Sequence, residues 1–487
     1  MYSTSVKVPE SDKPESYKSR KNKPWSLKLW LPLILVQVYL VATILLAYFG
    51  PVNWNFEEPF QLVIMLASYQ VACIVGYMLY AKRATRTEGK GTTCNVNLGS
   101  LVDKYFWVIL FLASVGTLIS FKNVTMSNTF EWSEYWSGFQ LGLARPWEAR
   151  ALYAAKYLSG EYLGSKYLSM TLLFFSVFKY LLIPILVFRW PFLSWGKKIA
   201  GLLVATIPIC SGVIMSLSAI NFHYLFVISI CLFAVYLSFE SRSEIESGAD
   251  CGFSGIKRRK FFLGSLVFLF AFSFWQFYAV KAEVSLYSSI GEEQQPSTFD
   301  YLRDYGVGFE RDRDEYYGVG YDFYEKLTVY LTQGYKGVSL SLNEPFDSTY
   351  GVGHSLFLQR LFEDHLGFDI RSKTYQRKIT EYWHENIFWH SAYSYFANDV
   401  SFYGVIVVML LLGYYFSMVV HAALLDDNFI AKSLLPLFAI MFLYMPANNQ
   451  VFSQLEYMSP FWVLTGAFVL LSSRKLNSLV RKSSFQS

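Results

Sequence analysis

The sequence predicts an all-α polytopic membrane protein, with about ten transmembrane helices (range nine to twelve) and one large helical loop on the outer side. Three observations predict it. Of 487 residues, 53% are hydrophobic. Only 16% are charged, against about 25% in an average soluble domain. Apolar runs recur at lengths near the roughly 20 helical residues that cross a hydrocarbon core.

Ten such runs lie near 30–49, 59–81, 105–121, 167–188, 199–219, 221–238, 261–280, 402–424, 433–446 and 458–473. The fifth and sixth are almost contiguous, which predicts a tight hairpin. The ninth and tenth are short, and Pro446 closes the ninth early. Runs one to seven occupy 29–280, interrupted by a loop at 122–166. A loop at 281–401 follows, then runs eight to ten over 402–473 and a tail at 474–487.

Lys and Arg concentrate on the cytoplasmic side of membrane proteins, and that bias sets the orientation. Residues 1–28 hold seven of them, which makes this stretch a cytoplasmic tail. It is too long and too polar before its first apolar run for a signal peptide, and no cleavage site follows. With ten spans, the segments on the tail's side hold 25 Lys and Arg. The short outer connections at 50–58, 220 and 447–457 hold none. Both termini are then cytoplasmic, and the loops 122–166 and 281–401 face outside.

The second loop carries 19 acidic and 11 basic residues, 14 tyrosines and four of the six histidines. A net acidic, Tyr-rich surface excludes nucleic acid as a partner, since that needs a basic stripe. It suits a polyhydroxylated ligand, whose rings stack on aromatic faces and whose hydroxyls bond carboxylates. All five cysteines fall in spans or on the cytoplasmic side, so the outer loops hold no disulfide. No Cys/His cluster has metal spacing, and no phosphate-binding glycine loop is present. The residues therefore call for no cofactor, no metal and no ATP.

Four pieces could carry chemistry. "LARPWEARALYAAKYLSGEYLGSKYLSM", from Leu143 to Met170, begins a helix at Pro146. Its Arg145 and Arg150 sit against the positive-inside trend. They are candidates for a guanidinium clamp on a lipid-linked phosphate, with Arg150 favoured; snorkelling to headgroups explains them equally well. "YEKLTVYLTQGYKGVSLSL" places apolar residues at helical spacing and predicts an amphipathic helix near 323–342. That helix would lie along the outer interface, bent near Gly334 and Gly337. Tyr335 is its candidate substrate-binding residue. Tyr-Gly-Val-Gly recurs at 305–308, 317–320 and 350–353, giving either plain turns or a loop that faces sugar or lipid.

"GHSLFLQRLFEDHLGFDIR" supplies His354 and Arg360. Arg360 is a second candidate phosphate ligand, or a helical ion-pair partner of Glu363 and Asp364. "EYWHENIFWHSAYSYFANDVSFYGV" supplies His390 and Asp399 at the mouth of a span. A His or carboxylate there could be a general base for a sugar hydroxyl; anchoring by Trp and Tyr, with His390 merely capping, explains the stretch equally well. Within the spans, Lys179, His223 and His421 stand out, with no paired acid to complete an ion pathway.

The layout and the strings "YLTQGYKGVSLSL", "YGVGHS" and "WHSAYSYFANDVSFYGV" together resemble the O-antigen polymerase (Wzy-type) family of oligosaccharide repeat-unit polymerases. The resemblance implies a bundle of the polymerase and ligase glycosyltransferase kind (GT-C-like) in the bacterial inner membrane. It implies transfer of a growing undecaprenyl-pyrophosphate-linked glycan onto a new lipid-linked repeat unit at the periplasmic face. Neither a nucleotide sugar nor a metal is then required, and a chain-length regulator is an implied partner beside the bilayer. By position, the pyrophosphate-holding arginines of the family fall on Arg145 or Arg150 and on Arg360. The Arg-x10-Gly pattern of some members is missing, since nine residues separate Arg150 from Gly160. His390, His354 and Asp399 are the candidate catalytic residues. An O-antigen ligase would share layout and donor. A flippase or transporter would want charged or broken spans and short outer loops. A structural subunit would tolerate loss of Arg150.

Overall fold

The computed structural model of the protein describes residues 27–87, 98–127, 131–159, 166–246, 302–309 and 319–472, with the single position 264. Among these residues, seven helices are long and apolar enough to cross a membrane. They are α1 (Leu27–Phe49), α2 (Pro59–Thr87), α4 (Phe106–Thr125), α7 (Lys166–Phe188), α8 (Trp195–Ile214), α9 (Ser218–Glu246) and α13 (Ala392–Leu424). Two shorter apolar helices, α14 (Phe429–Tyr444) and α16 (Leu455–Ser472), fall where the ninth and tenth runs lie. The chain is thus an all-α multi-pass membrane protein. The seventh expected run, 261–280, lies outside the described residues apart from 264, as do the terminal tails 1–26 and 473–487.

The remaining described helices are α3 (Leu98–Lys104), α5 (Trp132–Ala144), α6 (Pro146–Ser159), α10 (Val319–Ser341), α11 (Leu356–Leu366), α12 (Tyr375–Lys378) and α15 (Gln450–Ser453). Proline opens α2 at Pro59 and α6 at Pro146, where a missing N–H costs nothing. The expected hairpin forms between α8 and α9, turning through Met215–Leu217 with Ser216 at a φ of 50°.

The tightest helix pair is α2 against α13. A Cβ on Gly76 would lie 1.9 Å from the Leu410 carbonyl oxygen, and one on Gly413 would lie 2.0 Å from that of Cys73. Two backbones meet at reciprocal glycines, the usual way for membrane helices to gain contact without a hydrophobic drive between them.

Helix α13 has 33 residues, so at 1.5 Å per residue it is about 50 Å long and exceeds a core of about 30 Å. It breaks at Ser401, whose φ of 63° and ψ of 166° are non-helical. The Ser401 hydroxyl then accepts from Gly404 N–H at 3.4 Å and caps the second half. The break separates the segment through Val400 from the apolar continuation at Phe402.

The expected helix near 323–342 is present as α10, uninterrupted through Gly334 and Gly337. Every residue from Thr332 to Ser341 is buried, on all faces. The cause is its small and hydroxylated content. Thr328, Thr332 and Ser341 donate back to the carbonyls of Tyr324, Thr328 and Gly337 at 2.8, 2.7 and 2.6 Å. Their polarity is satisfied inside the helix, so they pack as apolar groups. Gly334 allows a close backbone crossing, since a Cβ there would meet the carbonyl oxygens of Pro446 and Ala447 at 2.3 and 2.6 Å.

The loop after α1 then ties α10 down. Trp54 Nε1 donates to Thr332 Oγ1 at 3.0 Å, Lys336 Nζ to Asn55 O at 2.7 Å, and Glu57 N–H to Ser339 Oγ at 3.0 Å. A two-residue antiparallel pair, Val52–Asn53 with Gly308–Phe309, closes the same loop. Residues 332–341 thus form a buried post of the fold.

Candidate functional site

The third Tyr-Gly-Val-Gly, with Thr349 before it and His354 after it, wraps around the carboxylate of Asp399. Asp399 Oδ1 accepts from the N–H groups of Gly351 and Gly353, each at 2.9 Å. Thr349 Oγ1 lies between Asp399 Oδ1 at 2.5 Å and Asn398 O at 2.8 Å, and its one proton serves one of them at a time. Asp399 Oδ2 accepts from both the backbone N–H and the ring Nδ1–H of His354, at 3.0 Å each.

Local sequence explains the wrap. Tyr350 and Gly351 take left-handed φ values of 55° and 84°, which turn the chain back on itself. Gly353 has no alternative, since a Cβ would meet Thr349 Oγ1 at 2.1 Å and Asn398 Cβ at 2.6 Å. Ser355 caps α11 by accepting from Leu358 N–H. Asn398 finishes the frame, with its side chain accepting from Tyr375 N–H at 2.9 Å and donating to Gly353 O at 3.1 Å and Gln376 Oε1 at 2.9 Å.

The consequence is chemical. A carboxylate accepting at Nδ1 fixes the proton there and leaves the lone pair on Nε2. Nε2 of His354 is buried and has no hydrogen-bond partner among the described residues. The ring packs edge-on against Phe452 at 5.5 Å and Trp462 at 6.3 Å between centroids. The result is an oriented imidazole base, with its free nitrogen in a water-poor aromatic setting.

Of the candidate catalytic and substrate-binding residues, His354 and Asp399 are brought into direct contact. His390 is buried at 2% exposure, and neither ring nitrogen has a hydrogen-bond partner among the described residues. It lies against α10, where a Cβ on Gly337 would be 3.0 Å from its Nδ1. Burial pulls its pKa down to about 3, with the nearby His384 adding to the fall. Tyr335 is fully buried, its hydroxyl 3.0 Å from Thr43 Oγ1. Arg360 is exposed on α11. Of the two acids suggested as its helical partners, Glu363 binds Arg371 through two bonds of 2.7 and 3.0 Å, and Asp364 lies 3.9 Å from the same guanidinium.

In the first loop, Arg145 pairs with Glu148 at 2.9 Å. Arg150 stacks over the Tyr153 ring at 5.0 Å, and its Nη1 is buried without a hydrogen-bond partner among the described residues. Nearby, α5 and α6, with Thr125 of α4 and Ile214 of α8, line a half-open cavity of about 370 Å³ that includes Tyr135, Tyr153, Glu134 and Lys156.

Sequence reading missed Thr349 and Asn398, which look like ordinary loop and helix residues. It also missed an acid. Lys179 does have an intramembrane partner, because Glu456 at the head of α16 lies 2.8 Å from its Nζ. The apolar-run criterion places Glu456 just outside a span, whereas the helix begins one residue earlier.

No family model, curated protein or solved structure matches this chain.

Proposed function

We propose that this chain is a glycan polymerase of the bacterial inner membrane, working on lipid-linked oligosaccharides at the periplasmic face. The observation that carries the reading is the His354–Asp399 pair. It is an oriented imidazole base at the end of a membrane bundle, within a loop rich in tyrosine. The glycine loop and the Trp-His-Ser run that resemble the Wzy-type family are the segments that build and flank this pair.

In this reaction the acceptor sugar hydroxyl attacks the anomeric carbon of the donor glycan. A carbon–oxygen bond forms there as the bond to the carrier pyrophosphate breaks. His354 Nε2 takes the hydroxyl proton, and Asp399 holds Nδ1–H and balances the imidazolium that results. The proton leaves to solvent or to the released pyrophosphate. Arg150, whose Nη1 has no hydrogen-bond partner among the described residues, is the proposed donor to phosphate, and Arg360, exposed on α11 shortly after His354, is the second. Fixed cations stabilise the leaving pyrophosphate. A bundle of the GT-C-like kind, cytoplasmic termini and a chain-length regulator as partner belong to the same reading.

Surface glycan profiles of a strain lacking the gene test it. Collapse of the ladder to a single core-plus-one-unit band is expected. Loss of every unit from the core would instead indicate a ligase or flippase, and an unchanged ladder would remove the glycan reading.

A further inference from the structure

The polar cluster inside the membrane is not used by the proposed chemistry. Lys179 Nζ on α7 donates to Glu456 Oε2 at 2.8 Å and to Ser120 Oγ on α4 at 2.6 Å. Ser120 in turn donates to Glu456 Oε1. Lys179 is buried, and Glu456 borders a cavity of about 20 Å³, room for roughly one water. Three helices thus meet at one ion pair.

Such a pair is poor evidence of stabilisation, because apolar replacements of similar volume often serve as well or better. It does impose a fixed geometry. Glu456 stands in the first turn of α16, in the segment 445–462 that walls the His354 site. Phe452 and Trp462 of that segment pack on the His354 ring. Ser355 Oγ donates to Phe452 O at 2.6 Å, and Asn449 Nδ2 donates to His354 O. Pinning Glu456 to α7 therefore fixes where the aromatic wall stands relative to the imidazole.

We infer that Lys179 and Glu456 are positioning residues, an intramembrane latch that holds Phe452 and Trp462 against His354. The inference rests on the reading of His354 as a base for its meaning, but not for its test.

The test is the rate at which diethyl pyrocarbonate modifies each histidine of the purified full-length protein, followed by peptide mass spectrometry. Exposed His365 serves as the reference and buried His390 as a monitor of general loosening. In the wild type, His354 reacts far more slowly than His365. Lys179→Met and Glu456→Gln each raise the His354 rate by about ten-fold while His390 stays protected, a local opening rather than a global one. The exchanged pair, Lys179→Glu with Glu456→Lys, returns His354 towards the wild-type rate. An unchanged His354 rate in both single variants overturns the latch. So does a joint rise of His354 and His390, which marks a merely structural pair. Glycan profiles report on the polymerase reading separately, so the two fail independently.

Discussion

One oxygen of Asp399, Oδ2, accepts both hydrogen bonds that His354 offers it, from the backbone N–H and from ring Nδ1, at 3.0 Å each. The carboxylate thereby fixes the position, the rotamer and the tautomer of the imidazole together. Its other oxygen holds the glycine loop that carries His354. Structure and chemistry are coupled at a single side chain, and substitutions can separate them.

Asp399→Ala removes an acceptor shared by His354, Gly351, Gly353 and the Thr349 hydroxyl. Gly351 N–H is exposed and the Thr349 hydroxyl keeps Asn398 O, but the Gly353 and His354 donors are at least partly buried and lose their partner, so a loss of about 2 kcal/mol or more is expected. Thermal unfolding in detergent checks it. Asp399→Asn keeps the shape but offers N–H where donors already point, so the tautomer is no longer enforced. Transfer per folded molecule should fall on the order of 10²-fold or more, the usual worth of a positioned base.

Helix α10 should be intolerant of volume. Gly334→Ala forces a methyl into two backbone carbonyls that cannot rotate away. Overpacking of this kind costs at least about 1–3 kcal/mol. Gly196→Ala meets nothing within 4 Å and should be neutral. The yield of folded protein after size-exclusion chromatography distinguishes the two.

Stability should depend on pH through His390. Burial lowers its pKa from 6.5 to about 3. A depressed histidine binds its proton more weakly when folded than when unfolded, so the folded state is favoured fully above about 6.5. As pH falls from there towards 3, the unfolded chain takes up the proton first and stability declines, at up to about 1.4 kcal/mol per pH unit. Glu363, held below its ordinary range mainly by its hydrogen bond from Arg371, also loses stability as pH falls. That pair is partly exposed, and solvent screening keeps its contribution small. Melting temperatures at pH 7.5, 6 and 5 should drop in the wild type and flatten in His390→Leu.

Arg150→Ala should separate function from folding. Its ring contact with Tyr153 is partly exposed and worth about 1 kcal/mol or less. If Arg150 clamps a phosphate, transfer falls by at least about ten-fold while the melting temperature barely moves. Equal losses in both would assign it a packing role.

The helical plan was legible in the sequence because a bilayer leaves few alternatives. Nine of the ten apolar runs correspond to described helices, and the hairpin at Met215–Leu217 is where two runs abut. The character of α10 was not legible. Its apolar positions have helical spacing, but its Ser and Thr hydroxyls are satisfied by its own carbonyls, and periodicity cannot register that. His354 and Asp399 were visible as residue types. Their pairing was not, because it depends on a left-handed turn at Tyr350 and a helix break at Ser401. The Lys179–Glu456 pair joins residues 277 positions apart, and no local pattern encodes it.

The most direct measurement is chain extension by the purified protein in liposomes, supplied with a single lipid-linked repeat unit. Wild-type protein should build a ladder of longer lipid-linked glycans. His354→Ala, at the same folded concentration, should leave the single unit unextended. A ladder of equal length and rate from His354→Ala would contradict the account.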